Sequence, residues 1–244
     1  IGPLAALPVM EGKALLFREF GKIDAWPICI DTKDPQKIIE TCRLIAPSFG
    51  GINLEDISAP RCFEVEESLQ DLGIPVFHDD QHGTAIVLLA ALINSSKVTG
   101  QSLGSMSVII NGSGAAGIAI AKLISGVSSD NQELEAVADV IVCDSKGAIS
   151  GDRTDLNSEK QKLLEFTNKK NVSGSVKKVL QGANVFIGVS KGNVISAKDV
   201  QTMAKDPIIL AMANPTPEIM PDEAKKGGAI VIGTGRSDFP NQVN

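Results

Sequence analysis

The sequence predicts an α/β protein, a doubly wound parallel sheet preceded by part of a smaller α/β domain. Three observations carry that prediction. From residue 106 onward, short apolar segments recur at 106–112, 139–144, 183–189, 208–214 and 229–233, with helix-like stretches between them. Strands that are apolar on both faces and alternate with helices belong to a parallel sheet covered on both sides. A glycine-rich turn, NGSGAAG, stands between the strand-like SVII and the apolar IAIAKLI. The 23 Gly and 12 Pro among 244 residues are spread along the chain, as many short connections require.

In the first part, PICI (27–30), GGINL (50–54) and IPVF (74–77) read as short strands separated by helical stretches. Between the first two lies DPQKIIETCRLIAP, in which Asp34 is an N-cap and Pro35 takes the first helical position. Ile38, Ile39, Cys42 and Ile45 follow at helical spacing, and Pro47 ends the helix. A second helix, beginning near Gly83, contains AIVLLAALI (85–93), an apolar run too short to cross a bilayer. The boundary falls near residue 80, which makes 1–80 part of one α/β domain and 81–244 the doubly wound domain. The segment 125–138, SGVSSDNQELEAVA, reads as a polar surface insertion before the next strand.

Composition narrows the function. A formal charge of −6, with no stripe of Lys or Arg to offset it, excludes a surface built to neutralise nucleic-acid phosphates. Cys29, Cys42, Cys62 and Cys143 show neither paired CxxC spacing nor the density of a disulfide-stapled domain, so they read as reduced thiols in a cytoplasmic protein. The first residues carry no basic stretch ahead of an apolar one, unlike a signal peptide, and the chain does not begin with Met, so it reads as cut at this end.

In NGSGAAG, Gly112 permits a tight turn, Gly114 lets backbone approach a pyrophosphate, and Gly117 allows helix and strand to pack closely. With Ala115 and Ala116 opening the helix, its free N–H groups face the phosphates, the arrangement of a Rossmann-type dinucleotide site. Asp144 ends the next strand, where a carboxylate accepts hydrogen bonds from the adenosine ribose and favours NAD. Ser145, Lys146 and Arg153 follow, groups suited to a ribose 2′-phosphate, so NAD and NADP both stand.

The stretch VFHDDQHGTA holds both histidines of the chain. Spaced four apart, they would share a metal if both lay on one helix, but His78 falls at a strand end and His82 at a helix start. The carboxylates are better placed. Glu55 and Asp56 end one strand and Asp79 and Asp80 another, and parallel strands bring such ends together. An all-oxygen cluster selects a hard cation, Mg²⁺ or Mn²⁺.

On the blocks IGPLAALPVMEGKALLF, INLEDI, PVFHDDQHGTA, NGSGAAG, ANPTPEI and GTGRSDFPNQVN, in that order, the chain resembles the malic enzymes, specifically the shorter microbial type. The resemblance implies oxidative decarboxylation of L-malate to pyruvate and CO₂ with reduction of NAD or NADP. It implies Lys13 as the catalytic base, Glu55, Asp56 and Asp80 as metal ligands, and Asp79 beside them. Thr84 and Ala115 to Gly117 match cofactor-loop positions. Asn214 lies between nicotinamide and substrate, and Asn244 contributes polar contacts to malate. A homodimer or larger homo-oligomer is implied as well. The family's general acid is a tyrosine in an N-terminal block, and this chain has no tyrosine, so it is expected to be an internal portion of a longer polypeptide. Two other readings remain: a metal-dependent dehydrogenase of another hydroxy acid, and a non-catalytic nucleotide-binding sensor.

Overall fold

The structure, a computed structural model, describes residues 2–127 and 135–243. Its chain divides after Phe77 into two units. In the first unit α1 (Pro3–Leu16) passes into a π-helical turn over Phe17–Gly21. None of its residues is buried, and Leu4, Leu15 and Leu16 are exposed. Residues 27–30 run as irregular chain, with Ile28 half exposed, instead of the expected strand. Apolar alternation marks a strand only where a neighbour takes its backbone hydrogen bonds.

The helix α2 (Pro35–Ile45) starts as its sequence predicts, with the Asp34 side chain accepting a hydrogen bond from the Gln36 N–H at 3.0 Å. A 3₁₀ turn over Ala46–Ser48, containing Pro47, closes it. Strand β1 (Ile52–Leu54), helix α3 (Arg61–Glu67) and strand β2 (Val76–His78) follow, and β1 and β2 form a two-stranded sheet. Ile38, Ile39, Cys42, Leu54, Val65, Leu69 and Val76 make the core of this unit.

The second unit opens on α4 (Asp79–Thr99), which begins four residues before the expected start near Gly83 and ends at Gly100 in the left-handed conformation. Asp79 and Asp80 therefore occupy its first turn, where the dipole favours negative charge, and the N-cap is His78. Then come β3 (Ser107–Asn111), α5 (Ala115–Ile124), β4 (Asp139–Asp144) and the two-residue β5 (Gly147–Ala148). Next are α6 (Ser158–Leu163), α7 (Val176–Val179), β6 (Val185–Gly188), α8 (Ala197–Val200), β7 (Ile208–Ala211), α9 (Pro221–Lys226) and β8 (Val231–Thr234). Part of the segment read as a surface insertion, 128–134, lies outside the described residues.

The sheet has the order β5-β4-β3-β6-β7-β8 and is parallel except for β5, a short antiparallel edge that sequence patterning misses. Both faces are covered: Val108, Ile109 and Ile110 are successive and all fully buried, as are Val185, Phe186 and Ile187. Helices α4 and α5 pack together, and Ile109, Ile141, Phe186 and Ile209 anchor a core with Leu180, Ile195 and Val200. From β3 the chain goes first to β4 on one side, and later to β6 on the other. That reversal creates a crevice at the carboxyl ends of β3 and β6, where ligands of doubly wound sheets bind.

Candidate functional site

The loop after β3 occupies that crevice. Gly112 has φ 133°, and a Cβ there would lie 2.6 Å from the Val189 carbonyl oxygen in the loop after β6. A Cβ on Gly117 would overlap the Gly112 carbonyl oxygen, so this position keeps the turn closed against α5. Gly114, the exposed N-cap of α5, has nothing within 4 Å of its Cβ direction. Two glycines thus hold the loop's shape and the third leaves open space beside a ten-residue helix N-terminus, the cradle a pyrophosphate requires. Ala115 and Ala116, partly exposed, form the first turn of α5. Thr84 is a partly buried residue of the second turn of α4.

Asp144 has a different setting from the one the sequence suggests. Its Oδ1 accepts from Arg153 Nη1 at 2.8 Å and the Lys146 N–H at 2.9 Å, and its Oδ2 from Arg153 Nη2 at 2.9 Å and Lys160 Nζ at 2.6 Å. A carboxylate offers about four lone-pair sites, and donors already fill them. The carboxylate read as the ribose acceptor is thus 8% exposed, its lone pairs met by these donors, at the centre of a charge cluster. Burial alone would raise its pKa, but the bonds from Arg153 and Lys160 outweigh it and hold the group at about 2. Asp155, which accepts from Arg153 and from Lys146 Nζ, is held well below the usual carboxylate range, and the two carboxylates push the Arg153 pKa up. Three cations meet two carboxylates, a net positive site beside the strand end where an adenosine ribose lies in such folds. Lys146 and Arg153 were read there from the sequence; Lys160 was not, because it reaches Asp144 from α6, beyond β5.

Asn214 is exposed just beyond β7, at a cis Asn214–Pro215 bond. Around it Glu218 Oε2 accepts the Ala213 N–H at 3.0 Å, and Arg236 donates to the Pro215 carbonyl. Asn244 lies outside the described residues.

The remaining candidates are carboxylates and one lysine. In the first unit Lys13, three-quarters buried on α1, donates to Glu55 Oε2 just past β1. Asn53 Nδ2 donates to the same oxygen at 3.0 Å, a contact that motif reading missed although Asn53 lies inside INLED. Asp56 follows with φ 55°, a left-handed conformation that aspartate tolerates better than most residues. In the second unit the His78 ring is fully buried, with Nε2 3.5 Å from Asp80 Oδ2, while His82 is exposed. His78 precedes α4, so the two histidines do not share a helix face. Asp79 turns back over Gly83, where a Cβ would overlap its carboxylate. The donor chemistry is all oxygen and suits a hard cation, yet among the described residues no group of three or more His, Cys, Asp or Glu side chains is gathered closely enough to hold a metal ion.

Of the cysteines, Cys42, Cys62 and Cys143 are buried and Cys29 partly so, all as free thiols. Burial pushes the Cys143 thiol up to about 12, which suits a filler of the core and not a nucleophile. Among the described residues no helix is long and apolar enough to cross a membrane.

The sheet order, the crevice and the glycine loop define a Rossmann-type dinucleotide-binding protein. Comparison with known proteins narrows this. Residues 81–241 match the family described as malic enzyme, NAD binding domain, and residues 1–70 match malic enzyme, N-terminal domain. The chain is 56% identical over 246 residues to the bifunctional malic/malolactic enzyme of Bacillus subtilis, covering 100% of this chain and 58% of that protein. To the NAD-dependent malic enzyme of Geobacillus stearothermophilus it is 53% identical over 245 residues, covering 100% of this chain and 49% of that one. The crystal structure of an NAD-dependent malic enzyme from Thermotoga maritima superposes with a TM-score of 0.93 at 45% identity, covering all of this chain and 63% of that one. The chain belongs to the malic enzyme family and spans about half the length of the curated relatives it matches.

Proposed function

We propose that the protein carrying this chain catalyses oxidative decarboxylation of L-malate to pyruvate and CO₂ with reduction of NAD or NADP, dependent on Mg²⁺ or Mn²⁺. The observation that carries this reading is the glycine loop in the β3/β6 crevice, with Gly112 and Gly117 enforcing its shape and Gly114 open to a ligand, in a chain of this family. The bound dinucleotide supplies the hydride acceptor. Glu55, Asp56 and Asp80 would hold the cation, which would supply Lewis acidity toward malate.

The chain's own residues do the rest. Lys13, as the neutral amine, takes the proton of the malate hydroxyl, and its contact with Glu55 gives the resulting ammonium a partner after that transfer. Asp79 supports the first turn of α4 beside Asp80, Asn214 orients the nicotinamide and substrate, and Asn244 completes the polar contacts to malate. Thr84, Ala115 and Ala116 line the cofactor with the three glycines. The reading includes domains at 1–80 and 81–244, a homodimer or larger homo-oligomer, and the cytoplasm as its compartment, where free thiols persist.

The test follows reduced-nicotinamide absorbance on the intact protein with L-malate and Mn²⁺, NAD and NADP in parallel, and a chelator control. Chelator-sensitive reduction is expected. Binding of dinucleotide with no turnover of malate would transfer the reading to another hydroxy acid, or to a sensor.

A further inference from the structure

Glu218 is a fully buried carboxylate that the mechanism above does not use. Its Oε1 accepts the Ser190 N–H at 2.9 Å, just beyond β6, and its Oε2 accepts the Ala213 N–H at 3.0 Å, just beyond β7. Two backbone donors from adjacent strand ends thus share one side chain, one on each oxygen, as an amide in the same place could not arrange without turning its NH₂ against one of them.

The backbone reinforces the tie. The Glu218 carbonyl accepts from Val194 N–H at 2.8 Å, and the Pro217 carbonyl accepts from Asn193 N–H at 3.1 Å. Glycines make the room: a Cβ on Gly188 would overlap the Glu218 carboxyl, and one on Gly192 would lie 2.7 Å from the Thr216 carbonyl oxygen. On its other side Ser190 accepts a hydrogen bond through Oγ from Asn111 Nδ2 at 2.6 Å, and Asn111 immediately precedes Gly112. One polar chain therefore runs Asn111, Ser190, Glu218, Ala213 across the carboxyl ends of β3, β6 and β7. That is the floor of the crevice, with Asn214 the next residue after its last link.

Burying a carboxylate is costly, and a merely structural contact at this place is more cheaply made by apolar packing. We propose that Glu218 is a positioning residue, which locks the loops after β6 and β7 together and so holds Asn214 and the glycine loop in the geometry that binds the dinucleotide. The inference rests on the dinucleotide reading above, and its failure is distinguishable from failure of that reading.

The experiment uses the intact protein and measures dissociation constants for reduced NAD and reduced NADP by nicotinamide fluorescence, kcat and cofactor KM, and Tm. Glu218→Gln keeps the shape and one acceptor but turns an N–H donor against a backbone N–H. The expected result is a rise of about tenfold in cofactor dissociation constant and KM, the effect of losing one charge-assisted bond, with the folded state retained. In an Asn214→Ala background the same change should weaken binding by less than it does alone, since residues acting through one unit are non-additive and only the glycine-loop share of the effect remains. Where the Gln variant does not fold, Glu218→Asp, which keeps the charge but cannot reach both donors, is expected to weaken binding in the same way. Cofactor binding within about twofold of wild type, or equal effects in both backgrounds, overturns the inference while wild-type binding leaves the parent reading intact. A wild-type protein that binds neither dinucleotide overturns the parent reading, and this inference with it.

Discussion

Arg153→Ala perturbs the cluster around Asp144 at its centre. The guanidinium supplies two of the four donors on a carboxylate that is 8% exposed, and is itself 14% exposed. Breaking a buried pair outright costs about 3–5 kcal/mol, but Lys160 stays 2.6 Å from Oδ2, so a loss of about 2 kcal/mol is expected in urea unfolding near pH 7. The pH dependence has a definite sign. Asp144 is held at about 2 against an ordinary 3.8, a folded-state pKa below the unfolded one. Its contribution is therefore complete above the unfolded value and is lost as pH falls through the folded one, so the difference between wild type and variant should shrink from about pH 4 downward. The substitution also frees two acceptor sites on Asp144 for ribose hydroxyls and removes a cation from the place a 2′-phosphate would occupy. The ratio of kcat/KM for NADP to that for NAD should fall about tenfold, the worth of one such bond. Unchanged stability would refute the argument that Asp144 is saturated by its partners. Lost stability with an unchanged ratio would show the cluster to be structural and remote from the cofactor.

The glycine loop offers a paired test, because Gly117→Ala drives a methyl into the Gly112 carbonyl whereas Gly114→Ala meets no atom within 4 Å. Gly117→Ala should lose dinucleotide binding and about 2 kcal/mol or more of stability; Gly114→Ala should keep its Tm and bind dinucleotide about tenfold more weakly, both read by calorimetry and fluorescence titration. Lys13→Met should lower kcat by about 10³-fold with the cofactor dissociation constant unmoved, and a variant that retains turnover excludes Lys13 as the base. Asp80→Ala should abolish metal-dependent turnover while leaving cofactor binding largely intact; loss of both contradicts the division of roles between the carboxylates and the glycine loop.

The parallel strands of the second unit were legible because burial on both faces leaves continuous apolar runs such as Val108–Ile110 and Val185–Ile187, and a run of that kind is local. The glycine loop was legible for the same reason: Gly112, Gly114 and Gly117 fall within six residues, between a strand and a helix. Residues 27–30 misled because their apolar spacing is local while the hydrogen bonds that would make them a strand are not. The start of α4 was displaced because Asp79 and Asp80, good first-turn residues, were taken for the end of the strand before it.

Sequence by itself determined the family, the sheet and the glycine loop, since each is written in neighbouring residues. Tertiary structure alone decided the state of those groups. Arg153 and Lys160 close on Asp144 from 9 and 16 residues away, Lys13 meets Glu55 from 42, and Glu218 reaches back 28 residues to Ser190. The physical reason is that a carboxylate's role depends on which donors fill its lone pairs, and those donors arrive through chain crossings that leave no local pattern.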